Sequence, residues 1–294
     1  MSTTKIGWIG LGKMGIPMSQ QLIKAGYGVG VFNRSKEKEE ALKARGATAV
    51  SSPAELLQQS DVVIIMVSDD QAVREIFTGD QGLLSAKVED KIVINMSTVS
   101  PGISKEMGSL CEDRSNHYID APVSGSVKQA EEGQLVIMAG GEEKLFQKVK
   151  PILERLGKLA MRVGATGAGN AAKLAMNTLL GFHAQGLAEA VVFARQNKIS
   201  PEDFITLVNS SALGNVFTKI KGDAIIKNNY QAAFALKHIA KDLRLAKAEG
   251  LTTPWGEVAF ETFQQAEPAL GEEDIIAIIK QIDHAEVLGL GAAN

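Results

Sequence analysis

Apolar positions in the first half of the chain come in short, nearly unbroken runs. They read KIGWIG (5–10), GVGVFN (28–33), DVVIIMV (61–67), KIVINMS (91–97), YIDAPV (118–123) and QLVIMAG (134–140). Runs of this length predict strands, and apolar residues on both pleat faces call for cover on both sides of a sheet. Amphipathic stretches with helix-start signals lie between several of them. SSPAELLQQS (51–60) puts Pro53 in a first helical turn, and SPGISKEMGSLCEDR (100–114) opens in the same way. Strand and helix in alternation predict an α/β fold with a doubly wound parallel sheet.

After KLAMRVG (158–164) the pattern changes. Gly164, Gly167 and Gly169 break the chain, and a helical period dominates beyond them. It covers about 170–196, then 201–210, 218–228, 236–249, 254–265 and 272–284. The 294 residues are therefore expected to form two domains. The first is an α/β domain over 1–164, and the second an all-α domain over 165–294. The stretch 168–194 carries Ala and Gly on more than one face, which predicts a central helix packed on several sides. That helix also suits a subunit interface in a homodimer or homotetramer, without fixing the number of copies.

Composition narrows the class. With 45% hydrophobic and 22% charged residues and a net charge of −3, nothing pulls the chain toward nucleic acid or an anionic membrane. Its longest apolar runs, such as VVIIMV (62–67), are far short of the roughly 20 residues of a spanning helix. The start, MSTTKIGWIGLG, lacks the basic region, long apolar stretch and cleavage site of a signal peptide, so none is expected, and the single cysteine makes a reducing cytoplasm the expected location. The lone Cys111 allows no internal disulfide and has no His or Asp at a telling spacing, so an inert thiol is expected.

GLGKMG sets Gly10, Gly12 and Gly15 between the first strand and a helix that contains Met18–Ala25. The pattern alone is weak, but at a strand-to-helix turn inside a βαβ unit it marks a Rossmann dinucleotide site. Gly10 allows the tight turn, Gly12 lets backbone approach a pyrophosphate, and Gly15 permits close helix–strand packing. Leu11 and Met14 complete the candidate loop. At the end of the second strand, where a carboxylate would bind the ribose 2′-hydroxyl of NAD, the chain reads Asn33-Arg34-Ser35. A guanidinium and two short polar groups suit a 2′-phosphate, so NADP(H) is expected over NAD(H).

Three stretches bear on chemistry. DAPVSGS (120–126) places Ser124, Gly125 and Ser126 after a strand, as an anion cradle for a carboxylate or as a plain strand-to-helix turn. AFALKHIAKDLRLA (233–246) sets Lys237, Lys241 and Arg244 on a helix beside Asp242, as a solvated basic face or a ligand contact. NMST (95–98) closes the strand at 91–97, at the sheet end where ligands bind in this fold. Finally, GAGNAAKLAMN puts Lys173 and Asn177 four apart on one face of a small, apolar helix.

Together IGWIGLGKMGIPM, DAPVSGSVKQAEEGQL, GAGNAAKLAMN and KDLRLA cover nearly the whole chain in order, and the chain resembles the β-hydroxyacid dehydrogenase family. Within it, SGS with AEEGQL, the NRS after the second strand and FALKHIAKDLRLA look most like the glyoxylate/succinic semialdehyde reductases. The resemblance implies that Lys173 is the catalytic lysine and Asn177 its partner. It puts Ser124 and Gly125 on the substrate-anchoring loop, and Thr98 against nicotinamide and substrate. Lys241 becomes a coenzyme contact, with Phe234 and Asp242 in the substrate pocket. One departure is Val67-Ser68, where many members read Leu-Pro after the strand; the resemblance still implies a backbone contact of Val67 to the coenzyme, with an altered shape there.

The chemistry agrees with that assignment. Reducing an aldehyde needs a proton on oxygen as well as a hydride on carbon. The four histidines, His117, His183, His238 and His284, show no shared spacing. No cluster with metal-ligand spacing appears, so no metal is expected. A lysine in a partly desolvated cleft near a helix start would have a lowered pKa and fit the role of acid. The expected reaction is NADPH-dependent reduction of a small carboxylate-bearing aldehyde. Alternatives in the family are 3-hydroxyisobutyrate, tartronate semialdehyde and serine chemistry. A non-catalytic NADP-binding module is the reading from another class. Imine reductases resemble the architecture but generally carry another residue at the lysine position.

Overall fold

In β4 (Val62–Ile65), every residue is buried, with Val62 and Ile64 facing one core and Val63 and Ile65 the other. That two-sided burial is repeated in β1 (Lys5–Ile9) and β5 (Ile92–Asn95), and it makes the middle of a covered sheet. The computed structural model describes residues 4–287, with side chains as far as 283. It divides into two compact units between Lys173 and Leu174.

In the first unit, β1 is followed by α1 (Gly15–Lys24), β2 (Gly28–Phe32), α2 (Glu37–Lys43), β3 (Thr48–Ala49) and α3 (Pro53–Gln59). After β4 come α4 (Asp70–Thr78), β5, α5 (Pro101–Glu112) and β6 (His117–Asp120). Then follow β7 (Val123–Ser124), α6 (Val127–Glu131), β8 (Leu135–Gly140), α7 (Glu143–Leu153) and β9 (Gly157–Gly164). Six strands run parallel in the order β3-β2-β1-β4-β5-β6, the doubly wound dinucleotide-binding order. Beyond β6 the sheet turns mixed: β8 is antiparallel to β6 and β7, and β9 runs parallel to β8.

The expected strand at 118–123 is two strands, because Ala121 and Pro122 interrupt it and Pro122 has no N–H for the ladder. KLAMRVG, read as the end of the domain, is most of β9. It has one strand neighbour and exposes Leu159 and Met161, so it lacks the continuous apolar signature of its inner companions.

The second unit is helical. The chain continues through α8 (Ala168–Gln196), α9 (Pro201–Ser210), α10 (Val216–Ile226), α11 (Leu236–Ala248), α12 (Pro254–Leu270) and α13 (Ile278–Val287). Its core gathers Leu187 and Val191 of α8, Ile239 and Leu243 of α11, Phe263 of α12 and Ile276. Ser or Thr followed by Pro opens α3, α5, α9 and α12, and each cap oxygen accepts a first-turn N–H. The packing division falls beyond residue 164 because the N-terminal end of α8 is bonded to the sheet. Asp120 at the end of β6 accepts from the N–H groups of Gly167 at 2.7 Å and Asn170 at 2.8 Å.

Candidate active site

The glycine loop between β1 and α1 is shaped by backbone approach. Gly10 has φ +97°, and a Cβ there would collide with the carbonyl oxygen of Met66. A Cβ on Gly15 would strike the carbonyl oxygen of Gly10. A Cβ on Gly12 would meet nothing within 4 Å, so the space before that residue is open to a ligand. Met14 precedes α1 without a side-chain cap, which leaves the helix N-terminus to backbone donors. The loop therefore fits a dinucleotide pyrophosphate. Leu11 is buried and its N–H donates to Asn33 Oδ1 at 2.9 Å, tying the loop to the end of β2.

There Arg34 and Ser35 are exposed, as a ligand contact requires. Sequence reasoning missed Glu39, six residues past Asn33. It is only 3% exposed and accepts from the Asn33 N–H at 2.7 Å and from Lys36 Nζ at 3.0 Å. A carboxylate does lie at this strand end, folded inward. Only an acidic residue on the first turn of the following helix hinted at it.

Across the sheet, the N–H of Val67 donates to Ser97 Oγ at 2.9 Å, so a ligand would meet Val67 through other atoms. Thr98 is half-buried between two pinned neighbours. Ser97 N–H donates to Asn95 Oδ1 at 3.0 Å, and Val99 N–H to Asn170 Oδ1 at 3.0 Å. Asn170, fully buried, also donates to Ser104 Oγ at 3.0 Å. One turn after Asn170 on α8 comes Lys173, only 7% exposed. The β5–α5 loop with Thr98 and the helix turn before Lys173 are thus joined by one side chain. Asp120 fixes the same turn. Burial pushes its carboxyl up from the usual range, and the Gly167 and Asn170 N–H groups oppose that rise.

On the β7–α6 turn, Ser124 is half-buried, and Gly125 (φ +145°) and Ser126 are exposed. Ser126 donates its N–H to Gln129 Oε1 at 2.7 Å, and its hydroxyl donates to the same oxygen. It is occupied as the cap of α6. Ser124 and the Gly125 backbone are left as the candidate anion contacts.

The helical unit holds a side-chain cluster. Asn177 and Asp242 are each 3% exposed, and Asn177 Nδ2 donates to Asp242 Oδ2. Lys241 Nζ lies 3.0 Å from Asp242 Oδ1. That contact is off hydrogen-bonding geometry, so the buried oxygen accepts no hydrogen bond. Lys237 and Arg244, candidates for a solvated basic face, stay accessible to solvent and pair with Glu272 and Glu267, each at 2.5 Å. Phe234 lies 5.6 Å from the His238 ring, centroid to centroid. Its backbone is held by Asp274, which accepts from the N–H groups of Ala233 (3.1 Å) and Phe234 (3.3 Å) and from buried Lys221 Nζ (2.7 Å). Neither Lys221 nor Asp274 had a sequence signal, being 53 positions apart.

The histidines stay dispersed: His117 faces Asp90, and His183 and His238 sit beside Phe217 and Phe234. Desolvation and then the Lys241 charge hold His238 below its usual pKa. The side chain of His284 is outside the described residues. Among the described residues, no group of three or more His, Cys, Asp or Glu could hold a metal.

Two family models cover this architecture. One, described as the NAD binding domain of 6-phosphogluconate dehydrogenase, matches residues 5–167. The other, described as NAD-binding of NADP-dependent 3-hydroxyisobutyrate dehydrogenase, matches residues 167–282. Glyoxylate/succinic semialdehyde reductase 1 of Arabidopsis thaliana is 35% identical over 283 residues, 95% of this chain and 98% of the relative. The chloroplastic reductase 2 of the same plant is 33% identical over 291 residues, 97% of this chain and 81% of the relative. Among solved structures, Mycobacterium tuberculosis 3-hydroxyisobutyrate dehydrogenase with L-serine matches with a TM-score of 0.87. It is 30% identical and covers 96% of this chain and 99% of that one.

Proposed function

The chain belongs to the NAD(P)-dependent β-hydroxyacid dehydrogenase family, and from that premise we propose that it reduces small carboxylate-bearing aldehydes with NADPH. Glyoxylate and succinic semialdehyde are the leading substrates, and Lys173 is the general acid. The observation that carries this reading is the burial of Lys173, 7% exposed, on a helix turn held by Asp120 and Asn170. A buried lysine on a turn tied to the β5–α5 loop stands at the sheet end where ligands bind in this fold.

When bound, the reduced nicotinamide supplies the hydride. The chain supplies the rest. Lys173 Nζ donates a proton to the carbonyl oxygen and stabilises the negative charge that develops there. In the oxidative direction its neutral amine takes that proton back. Asn177, one turn on along α8, orients the amine or a substrate hydroxyl. Ser124 and the Gly125 backbone anchor the substrate carboxylate. Asp242 Oδ1, ion-paired with Lys241 Nζ at 3.0 Å and otherwise without a hydrogen-bond donor, suits a substrate hydroxyl. Phe234 walls the pocket, Thr98 contacts both nicotinamide and substrate, and Lys241 contacts the coenzyme. At the far end, Arg34 and Ser35 take the 2′-phosphate of NADPH.

A substrate panel scored by kcat/KM tests the proposal. It should rank glyoxylate or succinic semialdehyde with NADPH first. Turnover confined to β-hydroxy acids with NAD would overturn the substrate and coenzyme assignment. The β-hydroxy acid part of that second reading draws on the Mycobacterium tuberculosis 3-hydroxyisobutyrate dehydrogenase, whose structure was solved with L-serine. No turnover of any member of the panel, with NADPH still bound, would favour a non-catalytic binding module. No helix among the described residues is long and apolar enough to cross a membrane; the cytoplasmic location we propose rests on the single, buried Cys111. Exposed Phe193, Leu213, Val216 and Ile220 in the helical unit support a homodimer or homotetramer.

A further inference from the structure

We propose that Glu39 is a positioning residue for coenzyme selectivity, acting through Asn33 on the loop that meets the adenosine 2′ position. The proposal rests on the NADP(H) reading above. Glu39 belongs to α2, yet its carboxylate turns back under the end of β2, and its side chain is 4% exposed. It accepts the Asn33 N–H at 2.7 Å. The Asn33 side chain then works in two directions: Oδ1 accepts the Leu11 N–H at 2.9 Å, and Nδ2 donates to the Ser35 carbonyl at 2.8 Å. One buried carboxylate thus fixes the residue that spans both ends of the adenosine-binding edge. Arg34 and Ser35 sit on that braced backbone with their side chains outward.

The charge balance fits the same role. A carboxylate facing the ribose would accept the 2′-hydroxyl of NADH and repel the 2′-phosphate of NADPH. Glu39 does neither in this orientation, because its Oε1 is engaged by a backbone N–H and by Lys36 Nζ at 3.0 Å. Lys36 in turn lies 4.7 Å over the Phe32 ring, so the ion pair is seated against the strand end. Bracing a short cationic loop reduces the ordering cost of phosphate binding. NADH, which has no 2′-phosphate, gains little from it.

The test measures binding to the ligand-free protein by calorimetry, with NADPH, NADH, adenosine 2′,5′-bisphosphate and AMP as probes. A charge-assisted hydrogen bond lost from Asn33 predicts that Glu39→Ala weakens NADPH and adenosine 2′,5′-bisphosphate about tenfold, and NADH and AMP less than about threefold. Glu39→Asp, too short to reach the Asn33 N–H, is expected to shift the NADPH/NADH ratio the same way. Glu39→Gln retains an acceptor and is expected to stay within about threefold of the unsubstituted protein. Circular dichroism confirms folding, and Glu39→Asp carries the test if Glu39→Ala does not fold. An unchanged ratio in a folded Glu39→Ala or Glu39→Asp protein, or equal weakening of both coenzymes, would overturn the role of Glu39 alone. An unsubstituted protein that binds NADH more tightly than NADPH would remove the NADP(H) reading and this proposal with it.

Discussion

The glycine loop of the first unit and the side-chain cluster of the helical unit are built from different materials. Around Gly10, Gly12 and Gly15 the work is done by backbone: a positive φ, absent Cβ atoms and N–H groups at a helix start. Around Asp242 it is done by side chains, with Asn177 and Asp242 drawn together from 65 positions apart. The first kind of site tolerates almost any neighbouring side chain but no added Cβ. The second tolerates backbone variation but loses its geometry with one substitution.

The sharpest way to break that contrast is Gly15→Ala. Its Cβ would collide with the backbone oxygen of Gly10, which cannot swing aside as a side chain would. The expected loss is about 3 kcal/mol of stability, read from urea unfolding, and a loss near zero would show that the loop can yield. On the other side stands Asp242→Ala, which leaves Asn177 Nδ2 without its acceptor and removes a carboxylate 3.0 Å from Lys241 Nζ. Lys241 is partly exposed, so about 1–3 kcal/mol is expected. A rise in KM for aldehyde should accompany it.

Gly12→Ala separates binding from folding within the backbone-built half. Nothing lies within 4 Å of the added methyl, so the melting temperature should hold. Coenzyme affinity is expected to fall about tenfold, because the methyl occupies the space a pyrophosphate needs. A drop in melting temperature with unchanged affinity would refute that division of roles. The smallest effect belongs to Cys111 on α5, whose thiol is raised to about 12 by burial. It should resist alkylation at pH 8 until the protein unfolds. The sign for stability follows. Above about 8.5 the unfolded thiol ionises while the folded one stays protonated, so stability falls as pH rises. A Cys111 that labels rapidly in the native protein would contradict its buried setting.

The same contrast explains what the sequence made legible. The inner strands and the glycine loop could be read because a buried parallel strand is an apolar run and a close backbone approach demands glycine. Lys173 and Asn177 shared a face by spacing alone. β9 escaped because an edge strand has no such run, and the break at Ala121-Pro122 divided what looked like one strand. The Lys221–Asp274 pair, the Asn170 bridge to Val99 and the inward fold of Glu39 were hidden for another reason. Each depends on which side chain of a distant or turning segment arrives at a given backbone atom, and no local pattern encodes that.

The account rests on Lys173 as the proton donor. Its most direct test is pre-steady-state NADPH oxidation, followed by absorbance, with saturating glyoxylate or succinic semialdehyde in wild type and Lys173→Ala. The account predicts a fall of about 10²- to 10⁴-fold in the hydride-transfer rate, with the Kd for NADPH within about threefold. Equal rates in the two proteins would contradict it.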